Sequence, residues 1–243
     1  MSFIITLYVR EGIVMASDSR LMLSVKQQQP GGGEVVQMGA GLSDSTYKPF
    51  LTLDNIGISY FGAPDVQGVP ISGYIESFIS DELHRHGYPV DEVPEALIRY
   101  FRQLEVPPDS GFLVAGYKTE AASDGGPEQH VWEALVKTER ITRINKPGQW
   151  GAAWRGTTDI LTRLLMPVGL RQPDGEYQAL PHFPIQWSYF TLQDAIDYAQ
   201  YAVKVTADTM RFHLRPKTVG GPVDVLVIKP GAAFWVKYKD LQA

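Results

Sequence analysis

The predicted strands and helices come in blocks, and this order restricts the fold more than any other feature of the sequence. Strand patterns fill most of the first sixty residues, and two helical patterns follow to about residue 104. A strand meander comes next, and two further helices precede the closing strands. A doubly wound parallel sheet requires a helix between successive strands, so this order disfavours it. The pattern predicts an α+β fold, a four-layer αββα sandwich in which two antiparallel sheets lie between helix layers.

The chain shows no internal repeat and no clear linker, so we expect a single domain over 1–243. Two stretches are predicted to be inserted loops. The first covers about 24–45 and is expected to be a flexible, hairpin-like excursion with turns at Gly39 and Gly41. The second covers about 171–190 and is longer than an ordinary connection, so we expect it to reach over the site or a neighbouring subunit.

The composition narrows the range of functions. The chain is 44% hydrophobic, which suffices for a large core, and its net charge of −5 does not favour binding to nucleic acid or to an anionic membrane surface. There is no cysteine, and the five histidines show no metal-ligand spacing, so we expect neither a metal nor another cofactor. No signal-like segment and no run of 18 apolar residues is present, which favours a cytoplasmic protein.

The N-terminal stretch predicts a buried hairpin. Two apolar strands, Phe3 to Val9 and Ile13 to Ser17, flank a turn in which Gly12 can supply a positive φ. Because Ser2 is small, removal of Met1 by the ordinary aminopeptidase is expected. A serine with a free α-amine carries a nucleophile and a base on the same residue.

Three features further along the chain have simple explanations when each is taken alone. The sequence Asp18-Ser19-Arg20 after a strand is commonly a turn with a salt bridge. Lys48 in a predicted strand is commonly a solvated side chain, and Pro49 places that strand at a sheet edge or a bulge. Gly62 marks the end of the next strand.

Taken together, these residues resemble the proteasome β-subunit family of N-terminal nucleophile hydrolases. Counted from Ser2, the chain has the nucleophile, the hairpin and the sequence Ser17-Asp18-Ser19-Arg20 without a gap. In that family the catalytic lysine precedes the oxyanion-hole glycine by fourteen residues, the separation between Lys48 and Gly62. The competing Lys26 lies in a Gly/Gln loop with no matching strand. Near the end, Gly220-Gly221 and the strand after it are also similar to the family.

The resemblance implies a role for each matching residue. Ser2 Oγ would attack the carbonyl carbon, the Ser2 α-amine would take the proton, and Lys48 would lower the pKa of that amine. Asp18 would hold Lys48, and the Gly62 N–H would bind the oxyanion. The expected supporting residues are Ser19 and Arg20. The expected substrate pocket consists of Leu21, Met22, Thr46, Phe50 and Tyr60.

The sequence also departs from the family and leaves three functions open. Gly151-Ala152-Ala153 occupies the place where we expect an auxiliary serine, and Pro216 and Val219 replace an aspartate and a serine. The first hypothesis is a peptidase that self-associates into rings, cleaves peptide or amide bonds, and works with an unfoldase that the sequence does not identify. The second is a non-catalytic ring or scaffold subunit. The third is a hydrolase of small amides.

Overall fold

The computed structural model describes residues 2–28, 34–118 and 126–240. Its strands are β1 (Phe3–Val9), β2 (Gly12–Ser17), β3 (Leu21–Gln28), β4 (Glu34–Ser43), β5 (Pro49–Leu51), β6 (Gly57–Gly62), β7 (Asp65–Val66), β8 (Val69–Pro70), β9 (Ser110–Lys118), β10 (Glu128–Leu135), β11 (Arg140–Arg143), β12 (Gly151–Gly156), β13 (Gly169–Arg171), β14 (Tyr177–Ala179), β15 (Asp224–Lys229) and β16 (Ala232–Lys237). Its α-helices are α1 (Ile71–Phe78), α2 (His84–His86), α3 (Val93–Arg102), α4 (Asp159–Leu165) and α5 (Leu192–Phe212). A π-helical turn, Ile79–Leu83, joins α1 to α2, and a 3₁₀ turn, Trp187–Tyr189, precedes α5.

The strands form two five-stranded antiparallel sheets and three two-stranded pairs. The first sheet has the order β12-β1-β2-β15-β16, and the second has the order β11-β10-β9-β6-β5. The small pairs are β3 with β4, β7 with β8, and β13 with β14. The predicted α+β class with antiparallel sheets is therefore confirmed.

Hydrophobic side chains of the described residues form three clusters. One joins β6, β9 and β10 to helices α1 and α3, and a second joins β1, β2 and β15 to helices α4 and α5. The third contains side chains from both five-stranded sheets and none from a helix. Every residue of β1 and β2 is buried, so the predicted N-terminal hairpin lies at the centre of the molecule.

The turn of this hairpin differs from the prediction in one respect. Gly12 has no positive φ. A Cβ at this position would instead lie 3.1 Å from the Ile228 carbonyl oxygen and 3.1 Å from a methyl group of Leu192. Glycine is therefore needed here for close packing rather than for an unusual backbone conformation.

The sequence marks the starts of two helices: Thr157 or Thr158 can cap the first, and Thr191 with Asp194 predicts a near capping box for the second. Thr191 caps α5, and its side chain and that of Asp194 form the reciprocal hydrogen bonds of a capping box. Thr158 is the residue before α4, but its side chain makes no capping hydrogen bond. Within the part of the chain that the structure describes, no helix has the length and apolarity needed to cross a membrane.

The two stretches predicted as loops contain regular structure. In the first, β3 and β4 pair as an antiparallel hairpin, so the prediction of turns at Gly39 and Gly41 is wrong, because both residues lie within β4. Residues 29–33 of the same stretch lie outside the described residues. The second stretch includes β14, which pairs with β13, and the 3₁₀ turn before α5.

Candidate active site

The Asp18 carboxylate connects Lys48 to the beginning of β1. Its Oδ1 accepts hydrogen bonds from Lys48 Nζ at 2.5 Å and from the Phe3 backbone N–H at 2.9 Å. The Asp18 side chain is fully buried and the Lys48 side chain is 2% exposed. Phe3 follows Ser2 directly. Asp18 Oδ1 therefore links the Lys48 ammonium, through two hydrogen bonds, to the N–H of the Ser2–Phe3 peptide.

The second oxygen of Asp18 is also satisfied. Its Oδ2 accepts the backbone N–H of Arg20 and that of Gly220, each at 3.1 Å. The Asp18 backbone N–H donates to the Phe3 carbonyl at 3.2 Å, which continues the pairing of β1 with β2 past the end of β2. A carboxylate with one ionic and three backbone donors is held rigidly.

Lys48 is the buried cation of this site. Burial lowers the pKa of Lys48, because removing the ammonium from water disfavours its charged form. The charge and hydrogen bond of Asp18 act to raise the pKa of Lys48, and the negative charge of Asp44 raises it to a smaller extent. The positive charge of Lys239 lowers the pKa of Lys48 further. Burial and the Asp18 carboxylate therefore act in opposite directions on the pKa of Lys48.

Ser2 is buried beside this pair, and its carbonyl is fixed by the end of β12. The Ser2 carbonyl oxygen accepts the Thr157 N–H at 2.7 Å. Gly156 has a φ of +88°, and a Cβ there would lie 1.8 Å from the Ser2 oxygen. Only glycine permits both this conformation and this close approach. Ser2 itself is 4% exposed, and Met1 lies outside the described residues.

The sequence does not single out the hydroxyl groups of Thr157 and Thr218 as site groups, but the fold brings both to the neighbourhood of Ser2. Thr157 Oγ1 and Thr218 Oγ1 lie 3.2 Å apart, and Thr157 is the residue whose N–H holds the Ser2 carbonyl. We expected an auxiliary hydroxyl at Gly151, but the register pairs Gly151 with Tyr8, at the far end of β1. Because β12 is antiparallel to β1, the residue that reaches Ser2 is the one following the end of β12.

Ser19 anchors the segment after β2 to two other parts of the chain. Its N–H donates to the Gly220 carbonyl at 3.0 Å, and its Oγ donates to the Pro222 carbonyl at 2.7 Å. Its carbonyl accepts the Thr46 N–H at 3.0 Å. Through these bonds Ser19 connects the Gly220 turn with the segment that leads to Lys48. Its supporting role in catalysis stays a prediction.

Arg20 points away from the buried pair and toward Asp44. Its Nε and Nη2 donate to the two Asp44 oxygens at 2.6 and 2.7 Å, and its Nη1 donates to the Lys217 carbonyl at 3.1 Å. The hydrogen bonds of this pair raise the pKa of Arg20 and lower the pKa of Asp44. Arg20 thus braces the loop by hydrogen bonds, and Asp44 is a partner that the sequence analysis did not identify.

Gly62 ends β6 at the same end of the second sheet as Lys48, which directly precedes β5. Its φ is +102°, and a Cβ there would lie 2.4 Å from the Asp109 carbonyl oxygen. The register pairs Pro49 with Ser59, so Lys48 is level with Tyr60. Gly62 is two residues further along the strand, about 7 Å at the usual rise per residue. The role of its N–H as an oxyanion donor stays a prediction.

The residues predicted to form the substrate pocket differ in how much surface they expose. Phe50 and Tyr60 are 7% and 3% exposed, and both belong to the cluster that packs against α1 and α3. Burial raises the pKa of Tyr60. Met22 is also buried, whereas Leu21 and Thr46 are half-buried. In this structure Leu21 and Thr46 therefore offer more surface to a ligand than the two aromatic residues do.

A second buried ion pair lies close to the first and was not anticipated. Lys239 Nζ contacts Asp224 Oδ2, and both side chains are almost inaccessible to solvent. No local sequence signal marks Asp224 and Lys239 as partners, because fourteen residues and a hairpin turn separate them.

Lys26, the competitor for the role of Lys48, lies in β3, where its backbone pairs with Val36.

Within the described residues, no group of three or more histidine, aspartate or glutamate side chains could hold a metal ion. The sequence matches no protein-family model, and a search of curated proteins gives no significant match. The functional conclusion therefore depends on the residues of this chain alone.

Proposed function

We propose that this protein is an N-terminal serine hydrolase that resembles proteasome β-subunits and cleaves peptide bonds through Ser2 after removal of Met1. The observation that carries the proposal is the Asp18 carboxylate, one oxygen of which binds both Lys48 Nζ and the N–H of Phe3. This arrangement brings a buried lysine, its counter-ion and the beginning of the chain to one point. The resemblance to the family implies such a juxtaposition of Asp18 and Lys48, which are thirty positions apart.

The fold proposal follows from the three hydrophobic clusters. We interpret them as the three interfaces of a four-layer αββα sandwich, the architecture of N-terminal nucleophile hydrolases. The cluster with α1 and α3 would cover the outer face of one sheet, and the cluster with α4 and α5 the outer face of the other. The cluster made only of strand residues would fill the space between the two sheets.

The proposed reaction begins with acyl transfer to Ser2. Ser2 Oγ attacks the carbonyl carbon of the substrate, and its proton passes to the free Ser2 α-amine and then to the leaving amine. The positive charge of Lys48 lowers the pKa of the α-amine, which has an ordinary value of about 8. Water, activated by the same amine, then attacks the ester and releases the acyl group. The Gly62 N–H is the proposed donor to the oxyanion.

The neighbourhood of Ser2 supports this scheme in two ways. The Thr157 N–H and the close contact with Gly156 fix the carbonyl end of Ser2. The paired hydroxyls of Thr157 and Thr218 are candidates to accept hydrogen bonds from the amine once Met1 is removed. They would supply the auxiliary polar groups that the sequence lacked at Gly151.

The decisive experiment combines intact mass with an electrophilic probe. Purified native protein is expected to have lost one methionine and to become acylated at Ser2 by a β-lactone. Ser2→Ala should abolish the labelling and lower peptide hydrolysis by a factor on the order of 10³ or more. Ser80→Ala, at a described surface position whose hydroxyl bonds only its own helical turn, is the matched control and should label like the wild type.

The other outcomes separate the alternatives. Retained Met1 and an unlabelled Ser2 would contradict the proposal and favour a non-catalytic scaffold subunit. Labelled Ser2 with hydrolysis of small acyl-amides but of no peptide would favour a small-amide hydrolase. Sedimentation on the same sample tests the ring, because a self-compartmentalised peptidase requires a ring-sized particle.

A further inference from the structure

The second buried ion pair joins the beginning of β15 to the end of the described chain. Asp224 is fully buried, and Lys239 is 9% exposed. The two residues share two contacts, since Lys239 Nζ contacts Asp224 Oδ2 and the Lys239 backbone N–H donates to Asp224 Oδ1 at 3.0 Å. Buried charges of this kind require a partner, and the double contact fixes the position of the Lys239 ammonium.

This pair is adjacent to the catalytic candidates in the first sheet. The register pairs Asp224 with Ser17, the residue before Asp18. Burial lowers the pKa of Lys239, whereas the Asp224 and Asp18 carboxylates act to raise it. Because the Asp18 charge acts on Lys239 and the Lys239 charge acts on Lys48, the two pairs form one electrostatic cluster.

Tyr47 links the same lysine to the segment that carries Lys48. The Lys239 ammonium lies 4.3 Å from the centroid of the Tyr47 ring, within cation–π range. The Tyr47 hydroxyl donates to the Lys239 carbonyl at 3.3 Å, and its ring stacks on Tyr238 with the centroids 4.8 Å apart. Tyr47 directly precedes Lys48, so the chain around Lys239 packs against the backbone that positions the catalytic lysine.

We infer that Lys239, held in place by Asp224, is a positioning residue for Lys48: it fixes the segment that carries Lys48 and sets the balance of charge around the Lys48 ammonium. This inference rests on the proposed function. It adds two residues that no part of the N-terminal motif contains, and it assigns them an effect on Lys48 rather than a contact with substrate. The charged groups that act on the pKa of Lys48 are Asp18, Asp44 and Lys239. Their own neighbours are Arg20, which pairs with Asp44, Asp224, which pairs with Lys239, and Tyr60, on which the Asp18 charge acts.

The charges predict opposite effects for the two single variants. Lys239→Met removes a cation and leaves the Asp224 carboxylate, and both changes favour the protonated form of Lys48. Asp224→Asn leaves the Lys239 cation without its counter-ion, which disfavours protonated Lys48. We expect the titration midpoint of Lys48 to rise by about one pH unit in the first variant and to fall in the second. A merely structural role would move both midpoints in the same direction or move neither.

The experiment follows the ¹³Cε resonance of Lys48 by NMR as a function of pH in the full-length protein, assigned by its loss in Lys48→Met. The double variant Asp224→Asn/Lys239→Met removes the pair without leaving an unpaired charge. It should raise the Lys48 midpoint by less than Lys239→Met alone, and it covers the case in which a single variant fails to fold. Lys118→Met breaks the Lys118–Asp91 contact elsewhere in the molecule and should leave the midpoint unchanged.

The two proposals fail in different ways. Equal Lys48 midpoints in the wild type and the double variant, or shifts of the same sign in the two single variants, would overturn this inference even if Ser2 is labelled. An unlabelled Ser2 in the wild type would overturn the proposed function whatever the Lys48 midpoints are. When both hold, the pH profile of Ser2 labelling should move with the Lys48 midpoint in each variant.

Discussion

Two ion pairs that begin two residues apart in the sequence lie in opposite environments. The inner pair, Asp18 with Lys48, has side chains that are 0% and 2% exposed, and its contact is 2.5 Å long. The outer pair, Arg20 with Asp44, has side chains that are 26% and 46% exposed, and its contacts are 2.6 and 2.7 Å long. The contact distances are nearly equal, so the two pairs differ in how far their side chains are exposed to solvent.

That difference reverses the net shift in the pKa of the cation, although the carboxylate acts to raise it in both pairs. In the outer pair, the hydrogen bonds with Asp44 outweigh desolvation, and the pKa of Arg20 is raised. In the inner pair, desolvation outweighs the attraction of Asp18, and the pKa of Lys48 is lowered. A buried lysine with a lowered pKa can influence a neighbouring amine, whereas the outer arginine acts as a structural brace.

Removing the carboxylate of the inner pair should give the largest effect. Asp18→Asn leaves Lys48 buried without a counter-ion, and we expect a loss of about 3–5 kcal/mol in the free energy of unfolding at neutral pH. The same variant should lose Ser2 labelling, because asparagine keeps one acceptor oxygen but lacks the negative charge that holds the Lys48 ammonium beside the N–H of Phe3. Urea denaturation of the variant and the wild type measures the difference in stability.

The pH dependence of that variant provides its control. Burial lowers the pKa of Lys48 in the folded state, whereas the unfolded chain has the ordinary value of about 10.4. Between these two values the unfolded state binds more protons, so the stability of Asp18→Asn should increase as the pH rises through that window. The double variant Asp18→Asn/Lys48→Met should recover most of the stability at neutral pH. A loss below about 1 kcal/mol would show that the inner pair is not desolvated as described.

The parts of this site that the sequence predicted are those that depend on local pattern. The hairpin of β1 and β2 follows from apolar runs around a turn, and Asp18 follows β2 directly, so its position at the start of β1 is a consequence of antiparallel pairing. The capping box at Thr191 is likewise local. Lys48 was selected from its separation from Gly62 in a resembling family rather than from any physical property of its own.

The parts that the sequence could not predict depend on register between distant strands. Nothing in the sequence states that Gly151 is opposite Tyr8, and a displacement of six residues along the chain decides whether Gly151 or Thr157 is beside Ser2. The contact of Lys239 with Asp224 requires the hairpin of β15 and β16 and the bulge within it. Gly39 and Gly41 were misread because glycine is common in turns, although the pairing of β4 with β3 places both in a strand.

Gly220 lies between the two ion pairs and allows a test that separates them. Its N–H donates to Asp18 Oδ2, while a Cβ at this position would lie 2.6 Å from the guanidinium carbon of Arg20. Gly220→Ala should displace the flexible end of Arg20, leave the Asp18–Lys48 contact intact, and lower the free energy of unfolding by about 1 kcal/mol. Ser2 labelling should be retained.

Gly126→Ala is the matched control for that substitution, because a Cβ there meets nothing within 4 Å and its φ is not positive. It should leave both stability and labelling close to the wild-type values. Loss of labelling in Gly220→Ala without a loss of stability would contradict the separation of the two pairs, since it would mean that the position of Arg20 is transmitted to Ser2.

Breaking the outer pair itself should give the smallest effect. Asp44→Asn removes the carboxylate of a partly exposed pair, and solvent screening limits its contribution to about 0.5 kcal/mol at neutral pH. Added salt of about 1 M should reduce the difference between wild type and variant further. The same salt should leave the deficit of Asp18→Asn nearly unchanged, because the inner pair is shielded from ions by the surrounding protein.

The sign of the pH dependence distinguishes the outer pair from the inner one. The hydrogen bonds from Arg20 lower the pKa of Asp44 in the folded state, so its contribution to stability is fully present above the unfolded value of about 3.9 and is lost as the pH falls through the lower folded value. The difference in unfolding free energy between wild type and Asp44→Asn should therefore be constant near neutrality and shrink in acid, whereas the deficit of Asp18→Asn shrinks in base. If the Asp44→Asn deficit were to shrink in base instead, Asp44 would be acting on the buried Lys48 rather than on Arg20, and the two pairs would have to be treated as one.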